Sequence, residues 1–396
     1  MPQLPSMENI IEHMRTFLFV NPVVVRNLEV CIATQLTRRT TLPRLWLMIV
    51  GSPSVGKSLV LDLFEGLDDT FYMDDATGNA LVSGFREDGG NIEAKEKNYS
   101  IARAMNKKSV IMSDMTLAIT KGDSSSTLMS QLRLLYDGRL NKGYGNQGMV
   151  DIKANFNILG GCTYAIDKVL ADQSLLGERF LYIKCPDFTN EESFEITQRK
   201  LEVHSEGAAH MRELRRILGV MLNEKTGIKP RIPTTNKDQR RLLGRLGMFI
   251  AFCRSSPIRD SRGNIVVNGQ LEQPARVVEQ LLSLCSGVAM CYGRQEVSDY
   301  DIEVAKHAAL SSMPSIRRSF VTLFHNNTIT GNKKGFIKKD LERIFRMKAI
   351  DVTRLVETMH QLDVIKENNH RWHMSETLQK YVTDADMSQT LINERG

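Results

Sequence analysis

The sequence has no pair of cysteines at metal-ligand spacing. None of its cysteines belongs to a Cys-x-x-Cys pair, which argues against a zinc ribbon and against a secreted scaffold held by disulfides. The six cysteines are Cys31, Cys162, Cys185, Cys253, Cys285 and Cys291. Such scatter is typical of a chain kept in a reducing compartment, so the sequence predicts a cytoplasmic protein.

Long apolar runs are also lacking. The best stretch, residues 45–50, is six residues long, whereas about 20 apolar residues are needed to cross a bilayer. The first 21 residues have neither the basic start, the sustained apolar run nor the small-residue cleavage site of a signal peptide. We therefore expect no membrane partner.

Neither sign of charge dominates the chain. Lysine and arginine number 52, and aspartate and glutamate number 46, which leaves a net charge of +6. This small excess permits a polyanionic partner without requiring one. The chain has 396 residues, of which 42% are hydrophobic, so two or three domains can each bury a core, and disorder, collagen and coiled coil are disfavoured.

Short apolar runs alternate with helical patterns in the first half of the chain. Such runs are typical of strands buried on both faces of a parallel sheet, and their alternation with helices predicts an α/β fold. The runs are residues 45–50, 109–112, 156–159 and 180–183. We place this core at residues 43–188, after an N-terminal helical segment at residues 1–42.

The second half of the chain has mainly helical patterns. An all-helical domain is predicted over residues 189–325, interrupted at 261–269 by a Gly/Asn-rich loop or small hairpin. The last segment, residues 326–396, has a helix at 338–346, a turn, a second helix at 351–362 and a short alternating segment. This order predicts a small winged-helix domain with a C-terminal tail.

A phosphate-loop motif follows the first apolar run. Residues 51–58 match G-x-x-x-x-G-K-[ST] between a predicted strand and a predicted helix. The two glycines let the backbone curl so that successive N–H groups face a phosphate, Lys57 reaches the β- and γ-phosphates, and the Ser58 hydroxyl binds Mg²⁺. We therefore predict that ATP and Mg²⁺ bind at this loop, to Gly51, Pro53, Ser54, Val55, Gly56, Lys57, Ser58 and Leu59.

An acidic residue at the end of a neighbouring strand is the second requirement of such a site. Asp114 follows the apolar run 109–112 and is our candidate for the metal. The usual Asp-Glu pair is incomplete, because Ser113 precedes Asp114 and Met115 follows it. Either water or another residue supplies the second role, or hydrolysis is slow and the protein is a nucleotide switch. A purely structural Asp114 that caps the next turn is the alternative.

Two further segments resemble AAA+ ATPases. Residues 156–163, Phe-Asn-Ile-Leu-Gly-Gly-Cys-Thr, look like the strand that carries the first sensor, for which Thr163 is the first choice and Asn157 the second. Residues 177–181, Gly-Glu-Arg-Phe-Leu, resemble the Arg-Phe motif of minichromosome-maintenance-type and phage-type helicase ATPases. The resemblance implies that Arg179 is an arginine finger that reaches the nucleotide of a neighbouring subunit; a surface arginine at a strand start is the alternative.

The helical domain carries the same resemblance. Residues 272–282, Glu-Gln-Pro-Ala-Arg-Val-Val-Glu-Gln-Leu-Leu, and the Val-Ser-Asp-Tyr-Asp turn at 297–301 look like the lid of minichromosome-maintenance-like ATPases. There an arginine opens a helix as the second sensor, a role that Arg276 fits; an arginine that merely extends to solvent is the alternative. The resemblance implies a homo-oligomeric ring, such as a hexamer, and a link to the DNA metabolism of phages or mobile elements.

Two segments are candidates for contact with nucleic acid. Residues 136–153 suggest a hairpin or extended loop before the first-sensor strand, from which Lys142 and Tyr144 could contact backbone and base. An ordinary glycine-rich connection is the alternative. In the winged helix the first helix is basic and suits phosphate contacts, whereas the second offers both charges, so protein docking is its alternative role. The candidates there are Lys338, Lys339, Arg343 and Arg354.

These features support three functional hypotheses. The first is an oligomeric AAA+ ATPase that couples ATP binding and hydrolysis to DNA unwinding or remodelling. The second is a nucleotide-switched DNA-binding or recruitment protein that uses its winged helix and has no helicase activity. The third, a protein-remodelling ATPase, would be favoured by an aromatic-hydrophobic pore loop, which the sequence does not offer.

Overall fold

The computed structural model describes most of the chain. The described residues are 5–74, 81–82, 100–120, 122–144, 148–167, 179–203, 205–227, 230–255, 257–260, 262–267, 272–331 and 334–393. The chain divides into two compact units. Unit 1 comprises Met1–Ile166, Tyr182–Thr234 and Ser283–Asp301, and unit 2 comprises Asp167–Leu181, Thr235–Leu282 and Ile302–Gly396.

Helices and strands alternate in the first half of the chain, and helices dominate the second. The helices are α1 Met7–Phe17, α2 Pro22–Arg38, α3 Lys57–Asp62, α4 Ile101–Ala104, α5 Thr116–Thr120, α6 Gly122–Tyr136, α7 Asn190–Glu202, α8 Gly207–Gly227, α9 Lys237–Arg254, α10 Ala275–Cys291, α11 Asp299–Ser311, α12 Ser315–Ile329, α13 Lys338–Phe345, α14 Ala349–Gln361, α15 Glu376–Asp384 and α16 Ser388–Asn393. The strands are β1 Trp46–Val50, β2 Thr70–Tyr72, β3 Ser109–Met112, β4 Arg139–Tyr144, β5 Gly148–Lys153, β6 Asn157–Cys162, β7 Leu181–Lys184, β8 Ile258–Arg259, β9 Ile265–Val267, β10 Ile365–Asn368 and β11 Arg371–Met374.

A five-stranded parallel sheet organises unit 1 and confirms the predicted α/β core. Its strand order is β2-β3-β6-β1-β7. The registers of β1 with β6, β3 with β6 and β2 with β3 are parallel. Every residue of β1, β3, β6 and β7 is buried, which explains why these strands are mostly apolar and do not alternate with exposed polar residues.

The first helix, α1, packs against α7 and α8, which follow the last strand of the sheet in sequence. Arg199 on α7 donates to the carbonyls of Arg15 and Thr16 at the end of α1, and the rings of Phe17 and His210 stack with centroids 4.9 Å apart. Residues 190–227 are therefore part of the unit that contains the sheet. The sequence places a domain boundary at residue 188, where strands give way to helices. The structure differs, because the helices after residue 188 pack in the same unit as the sheet.

A buried acidic group connects α2 to the segment that follows α10. Glu29 is fully buried, and it accepts hydrogen bonds from the hydroxyls of Tyr292 and Tyr300, the latter at 2.7 Å. Burial raises the pKa of the Glu29 carboxyl above its usual value, although both hydroxyl donors oppose this shift. Burial likewise raises the pKa of both tyrosines, so they remain protonated donors.

The raised pKa of Glu29 gives a prediction with a definite sign. The folded chain keeps this proton at pH values where the unfolded chain, with a pKa near 4.5, has lost it. The resulting stability is present below the unfolded-state pKa and is lost as pH rises through the folded-state pKa. In urea titrations from about pH 4 to about pH 7, we expect the free energy of unfolding of the wild type to fall relative to that of Glu29→Gln. A relative increase with pH would contradict this interpretation.

Unit 2 has a helical core that is crossed by buried arginines. The Arg254 guanidinium at the end of α9 forms two contacts with Glu272, at 2.5 and 2.6 Å. Arg317 on α12 donates to the carbonyls of Arg254 and Ser255 at 2.9 and 2.6 Å, and burial lowers the pKa of its guanidinium to about 10. The predicted hairpin within this region is present as β8 and β9, which pair antiparallel.

The last part of unit 2 contains two successive helices and an antiparallel hairpin. α13 and α14 are followed by β10 and β11, which pair over four residues each. Phe336, ahead of α13, adds a short antiparallel bridge to Trp372. α15 packs on α9 through Phe252 and Tyr381, whose rings lie 4.7 Å apart. The predicted order of helix, turn, helix and short strand is therefore present.

Among the helices that the structure describes, each is either too short or too polar to traverse a lipid bilayer.

Candidate functional site

The loop between β1 and α3 has the backbone curl that its sequence predicts. Gly56 adopts a left-handed conformation with φ of +86° and directly precedes α3, a conformation that costs a glycine little. Ser54 also has a positive φ, +69°. A Cβ built on Gly51 would lie 2.8 Å from Val55 Cγ2 and 3.2 Å from Cys185 Cβ, so this glycine is required by close packing.

Lys57 is folded back over the loop. Its ammonium donates to the carbonyls of Gly51 and Ser52, both at 2.8 Å. The side chain of Val55 is buried, whereas Pro53, Ser54 and Ser58 are exposed and Leu59 is half-buried. The solvent side of the loop therefore carries the Lys57 ammonium, the exposed residues Pro53 and Ser54, and the Ser58 hydroxyl.

Cys185, which follows β7, holds the base of the phosphate loop through hydrogen bonds. The Cys185 amide donates to the Val50 carbonyl at 2.7 Å, and the Tyr164 hydroxyl donates to the Cys185 carbonyl at 2.6 Å. Asn27 on α2 donates to the Cys185 sulfur at 3.2 Å. The base of the loop is thus fixed by β7 and α2.

The carboxyl ends of three strands are joined by hydrogen bonds. Gly51 after β1 donates to the Cys162 carbonyl at 3.2 Å, and Met115 after β3 donates to the Gly161 carbonyl at 2.7 Å. The Thr163 amide after β6 donates to Thr116 Oγ1 at 3.0 Å. Because β6 lies between β1 and β3, the residues that follow these strands share one edge of the sheet. The sequence candidates Lys57, Thr163 and Asp114 therefore belong to one region.

Asp114 is exposed, and one of its oxygens already has a structural role. Its Oδ1 accepts a hydrogen bond from the Thr116 amide at 2.8 Å, at the start of α5. This is the turn-capping role that the sequence leaves open as an alternative. A carboxylate has a second oxygen, so the same side chain can cap the turn and face a cation.

A second carboxylate, which the sequence analysis missed, lies beside this strand end. Asp74 follows β2, and its Oδ1 accepts a hydrogen bond from the Ser113 hydroxyl at 3.1 Å. In β2, Tyr72 donates to Asp62 at 2.6 Å, and burial together with this bond raises the tyrosine pKa to about 12. The run Thr-Phe-Tyr before Asp74 is the only signal, and three residues are too few to identify a strand from sequence.

The two sensor candidates on β6 lie at opposite ends of that strand. Thr163 follows its carboxyl end, whereas Asn157 begins it. The Asn157 amide is buried and donates to Thr34 O at 2.9 Å, and its Oδ1 accepts from the Leu45 amide at 3.1 Å. The second choice for the sensor, Asn157, is therefore wrong, because its amide connects α2 to the amino end of the sheet.

Gly161 allows the close approach of β6 to the Asp114 segment and gives a prediction. A Cβ built on it would lie 2.5 Å from the Ser113 carbonyl oxygen and 3.1 Å from Leu61. We expect Gly161→Ala to lower the free energy of unfolding in urea by about 1–3 kcal/mol, because backbone must move. Gly143→Ala is the matched control, since a Cβ there meets nothing within 4 Å. Equal effects of the two substitutions would contradict this prediction.

The residues at this edge fit a nucleotide and magnesium. Gly51 and Gly161 are places where an added Cβ would collide with Val55 and Cys185 or with Ser113 and Leu61, so the strand ends and the loop are closely packed here. Magnesium at phosphate sites takes one or two carboxylates together with phosphate oxygens and waters, which Ser58 and Asp114 can complement. Over the described part of the chain no cluster of three or more His, Cys, Asp and Glu side chains forms a separate metal site.

The two arginine candidates belong to unit 2. Arg179 precedes the buried Phe180 and is half-buried, and its carbonyl accepts a hydrogen bond from Gln280 on α10 at 2.5 Å. Arg276 is the second residue of α10 and is also half-buried. Gly177 and Glu178, which complete the Arg-Phe motif, lie outside the described residues.

The predicted hairpin is present as the antiparallel pair β4 and β5. Lys142 pairs in register with Val150, and Tyr144 with Gly148; residues 145–147 lie outside the described part. Arg139 forms an ion pair with Asp151 at 3.2 Å across the two strands. Lys142 is half-buried, and Met149 beside the turn is 70% exposed.

The candidates in α13 and α14 have different surroundings. Lys338, Lys339 and Arg343 are exposed along α13. Arg354 on α14 lies against the β8–β9 hairpin, where a Cβ built on Gly263 would come within 2.6 Å of its Nη2. The structure therefore leaves the first of these helices open and covers part of the second.

The comparisons with known proteins leave the family open. No protein-family model matches the sequence, and no curated protein is significantly similar to it.

Proposed function

We propose that this protein is an ATPase of the AAA+ type that acts on DNA as a homo-oligomer. The observation that carries the proposal is the position of the phosphate-loop sequence in the sheet. The loop follows β1, which has β6 on one side and β7 on the other, and ligands of open α/β sheets bind at such a point, outside the carboxyl ends of the strands.

The proposed binding step uses the loop itself. Backbone amides of the loop donate to the β-phosphate, and the Lys57 ammonium exchanges its two carbonyl acceptors, Gly51 and Ser52, for phosphate oxygens. An ammonium that bridges the phosphates stabilises negative charge that develops during transfer. Ser58, exposed at the start of α3, provides the hydroxyl for Mg²⁺.

Hydrolysis requires in addition that a water molecule and the metal be oriented. Asp114 would hold the metal with its remaining oxygen, while its Oδ1 stays on the Thr116 amide. The Thr163 hydroxyl is half-buried at the end of β6, between the loop strand β1 and the Asp114 strand β3. In this proposal Thr163 senses the γ-phosphate, and Asp74, whose Oδ1 accepts from the Ser113 hydroxyl, is the second carboxylate at this strand end.

The proposed oligomer supplies the remaining charges. Arg179 of one subunit reaches the nucleotide of the next, and Arg276 acts as the second sensor, as the family resemblance implies. A guanidinium in trans neutralises the transferred phosphoryl group only after assembly. The helices α13 and α14 with the β10–β11 hairpin support the assignment of a winged helix, and the exposed lysines of α13 suit contact with DNA phosphates.

One observation favours the nucleotide-switch alternative. Asp114 provides one carboxylate after β3, and one of its oxygens is held by the Thr116 amide. Asp74 beside it likewise has one oxygen held, by the Ser113 hydroxyl. A site whose carboxylates are already engaged in hydrogen bonds activates water weakly. In that case the protein binds ATP, changes state and recruits partners through its winged helix, with slow turnover.

A rate measurement separates the two functions. We propose measuring ATP hydrolysis against protein concentration, with and without single- and double-stranded DNA, followed by strand displacement. The motor hypothesis predicts a specific activity that rises with concentration, stimulation by DNA and displacement. A switch binds ATP and DNA, but its turnover is slow and it displaces no strand. A specific activity independent of concentration would contradict an active site shared between subunits.

A further inference from the structure

The surface of α14 is partly covered by another segment of unit 2. The Arg259 guanidinium, on β8, donates to the Arg354 carbonyl at 2.9 Å and to the Thr358 hydroxyl at 2.9 Å. It also lies 3.3 Å from a Glu357 carboxylate oxygen. These contacts fall at positions i, i+3 and i+4 of the helix and therefore on one face of it.

The turn of the hairpin is held by its own hydrogen bonds. Asp260 accepts from the backbone amides of Arg262 and Asn264 at 2.9 and 2.8 Å. The Asn264 and Arg262 donors contribute to keeping the pKa of Asp260 below its usual value, so the turn is stabilised by an ionised carboxylate. The Gly263 carbonyl accepts from Arg259 at 2.6 Å, which links the turn to the guanidinium that contacts α14.

Gly263 allows the turn to approach the helix closely. It has a φ of +88°, and a Cβ built on it would lie 2.6 Å from Arg354 Nη2 and 2.9 Å from Arg354 Cζ. The turn thus lies directly against the one arginine that the sequence proposes for contact with DNA on this helix.

Insertion of this face into a groove would require loss of these contacts. Arg259 keeps a modest exposure of 20%, and it neutralises Glu357, which is 49% exposed. Without Arg259, the Glu357 carboxylate would face a polyanion, and the buried Thr358 hydroxyl would lose its donor. The charge balance of α14 therefore favours the hairpin over DNA.

The first helix has the opposite character. Lys338 and Lys339 are exposed, and the Arg343 side chain is 83% exposed, with only a 4.0 Å contact to Asp340. Arg346 and Lys348 extend the exposed basic surface into the turn before α14. Such flexible cations bind phosphates and carry no base information.

We infer that unit 2 binds duplex DNA through backbone phosphates at α13, without reading base sequence, because the β8–β9 hairpin lies on the face of α14 that carries Arg354, Glu357 and Thr358. This inference rests on the proposed function, since it assumes that DNA is the partner. It assigns Arg259 as the residue that holds the hairpin on α14. It also predicts that Arg354 makes no specific base contact.

Binding of the full chain to labelled duplexes of equal length and unrelated sequence tests this inference. We expect affinities within about twofold of one another at a fixed salt concentration. Arg354→Ala should leave the affinity within about twofold of the wild type, whereas Lys338→Ala/Lys339→Ala/Arg343→Ala should lower it and reduce the slope of log affinity against log salt by about 2 to 3. A preference above about tenfold for one sequence that Arg354→Ala removes would overturn the inference.

Hydrogen exchange tests the contact itself. We expect Arg259→Ala to accelerate amide exchange in residues 349–361, because the hairpin is released. Arg262→Ala removes the same charge from the exposed tip of the same hairpin and should leave that exchange unchanged. Equal exchange in all three proteins would overturn the assignment of Arg259. If the full chain binds no DNA of any form, the proposed DNA function fails together with this inference, whereas sequence-specific binding defeats the inference alone.

Discussion

Lys57→Ala is expected to reduce ATP hydrolysis by at least about 100-fold, because removal of one positioned donor of transition-state stabilisation has an effect of this size. The wild-type ammonium is held 2.8 Å from the Gly51 and Ser52 carbonyls, directly at the loop that would receive the phosphates. Alanine leaves these carbonyls to solvent and removes the positive charge. Steady-state phosphate release at saturating Mg²⁺ and ATP measures the effect.

Lys200→Ala is the matched control for this substitution. Lys200 is an exposed residue of α7 in the same unit, so its loss changes the net charge equally without touching the loop. Circular dichroism and thermal unfolding check that both variants are folded. Hydrolysis by a folded Lys57→Ala protein at the wild-type rate would contradict the site.

Arg179→Ala is expected to separate nucleotide binding from hydrolysis. If Arg179 acts in trans, the variant should bind ATP within about threefold of the wild type, yet its hydrolysis per assembled subunit should fall by about 1000-fold or more, since arginine fingers contribute 10³–10⁵. Arg179→Lys should recover little, because an ammonium lacks the planar fork of a guanidinium. Fluorescence titration and phosphate release measure the two quantities on one preparation.

Mixing two inactive variants tests the shared site directly. An Arg179→Ala subunit keeps its phosphate loop, and a Lys57→Ala subunit keeps its arginine. In a heterologous ring made from equal amounts, about a quarter of the interfaces should combine both intact parts. Hydrolysis should therefore return in the mixture and not in either protein alone. No recovery in a mixture shown to co-assemble would contradict a finger in trans.

The phosphate loop was the most predictable part of the fold. The apolar run 45–50 became β1, Gly56 took a positive φ, and Gly51 is closely packed against Val55 and Cys185. The strand at 109–112 has the predicted bounds. These segments are predictable because burial on both faces and the need for glycine act locally, within a few residues of sequence.

The lateral order of the strands could not be predicted from such local signals. The amide of Asn157 is buried because its partners lie about 120 residues away on α2, which no local pattern indicates. The sequence also contains no indication of a role for Asp74. Its significance comes from the pairing of β2 with β3, which three residues of strand do not indicate.

Sequence patterns also could not predict which helix faces are covered by other segments of the chain. Arg354 is exposed, as its sequence context suggests, yet Arg259 and Gly263, about 90 residues earlier, lie against its helix. The compact units also mix segments that are distant in the chain. Hydrophobic periodicity identifies the helices themselves, whereas the choice of partner for each face depends on tertiary packing.

In our proposal the loop at residues 51–58, together with Asp114, binds magnesium-bound ATP. Calorimetric titration of the full chain with a nonhydrolysable ATP analogue and Mg²⁺ tests it most directly. We expect one site per chain for the wild type, weaker binding when Mg²⁺ is removed or Asp114→Ala is introduced, and loss of binding in Lys57→Ala. Absence of binding by the wild type, or equal affinity in all three proteins, would contradict it.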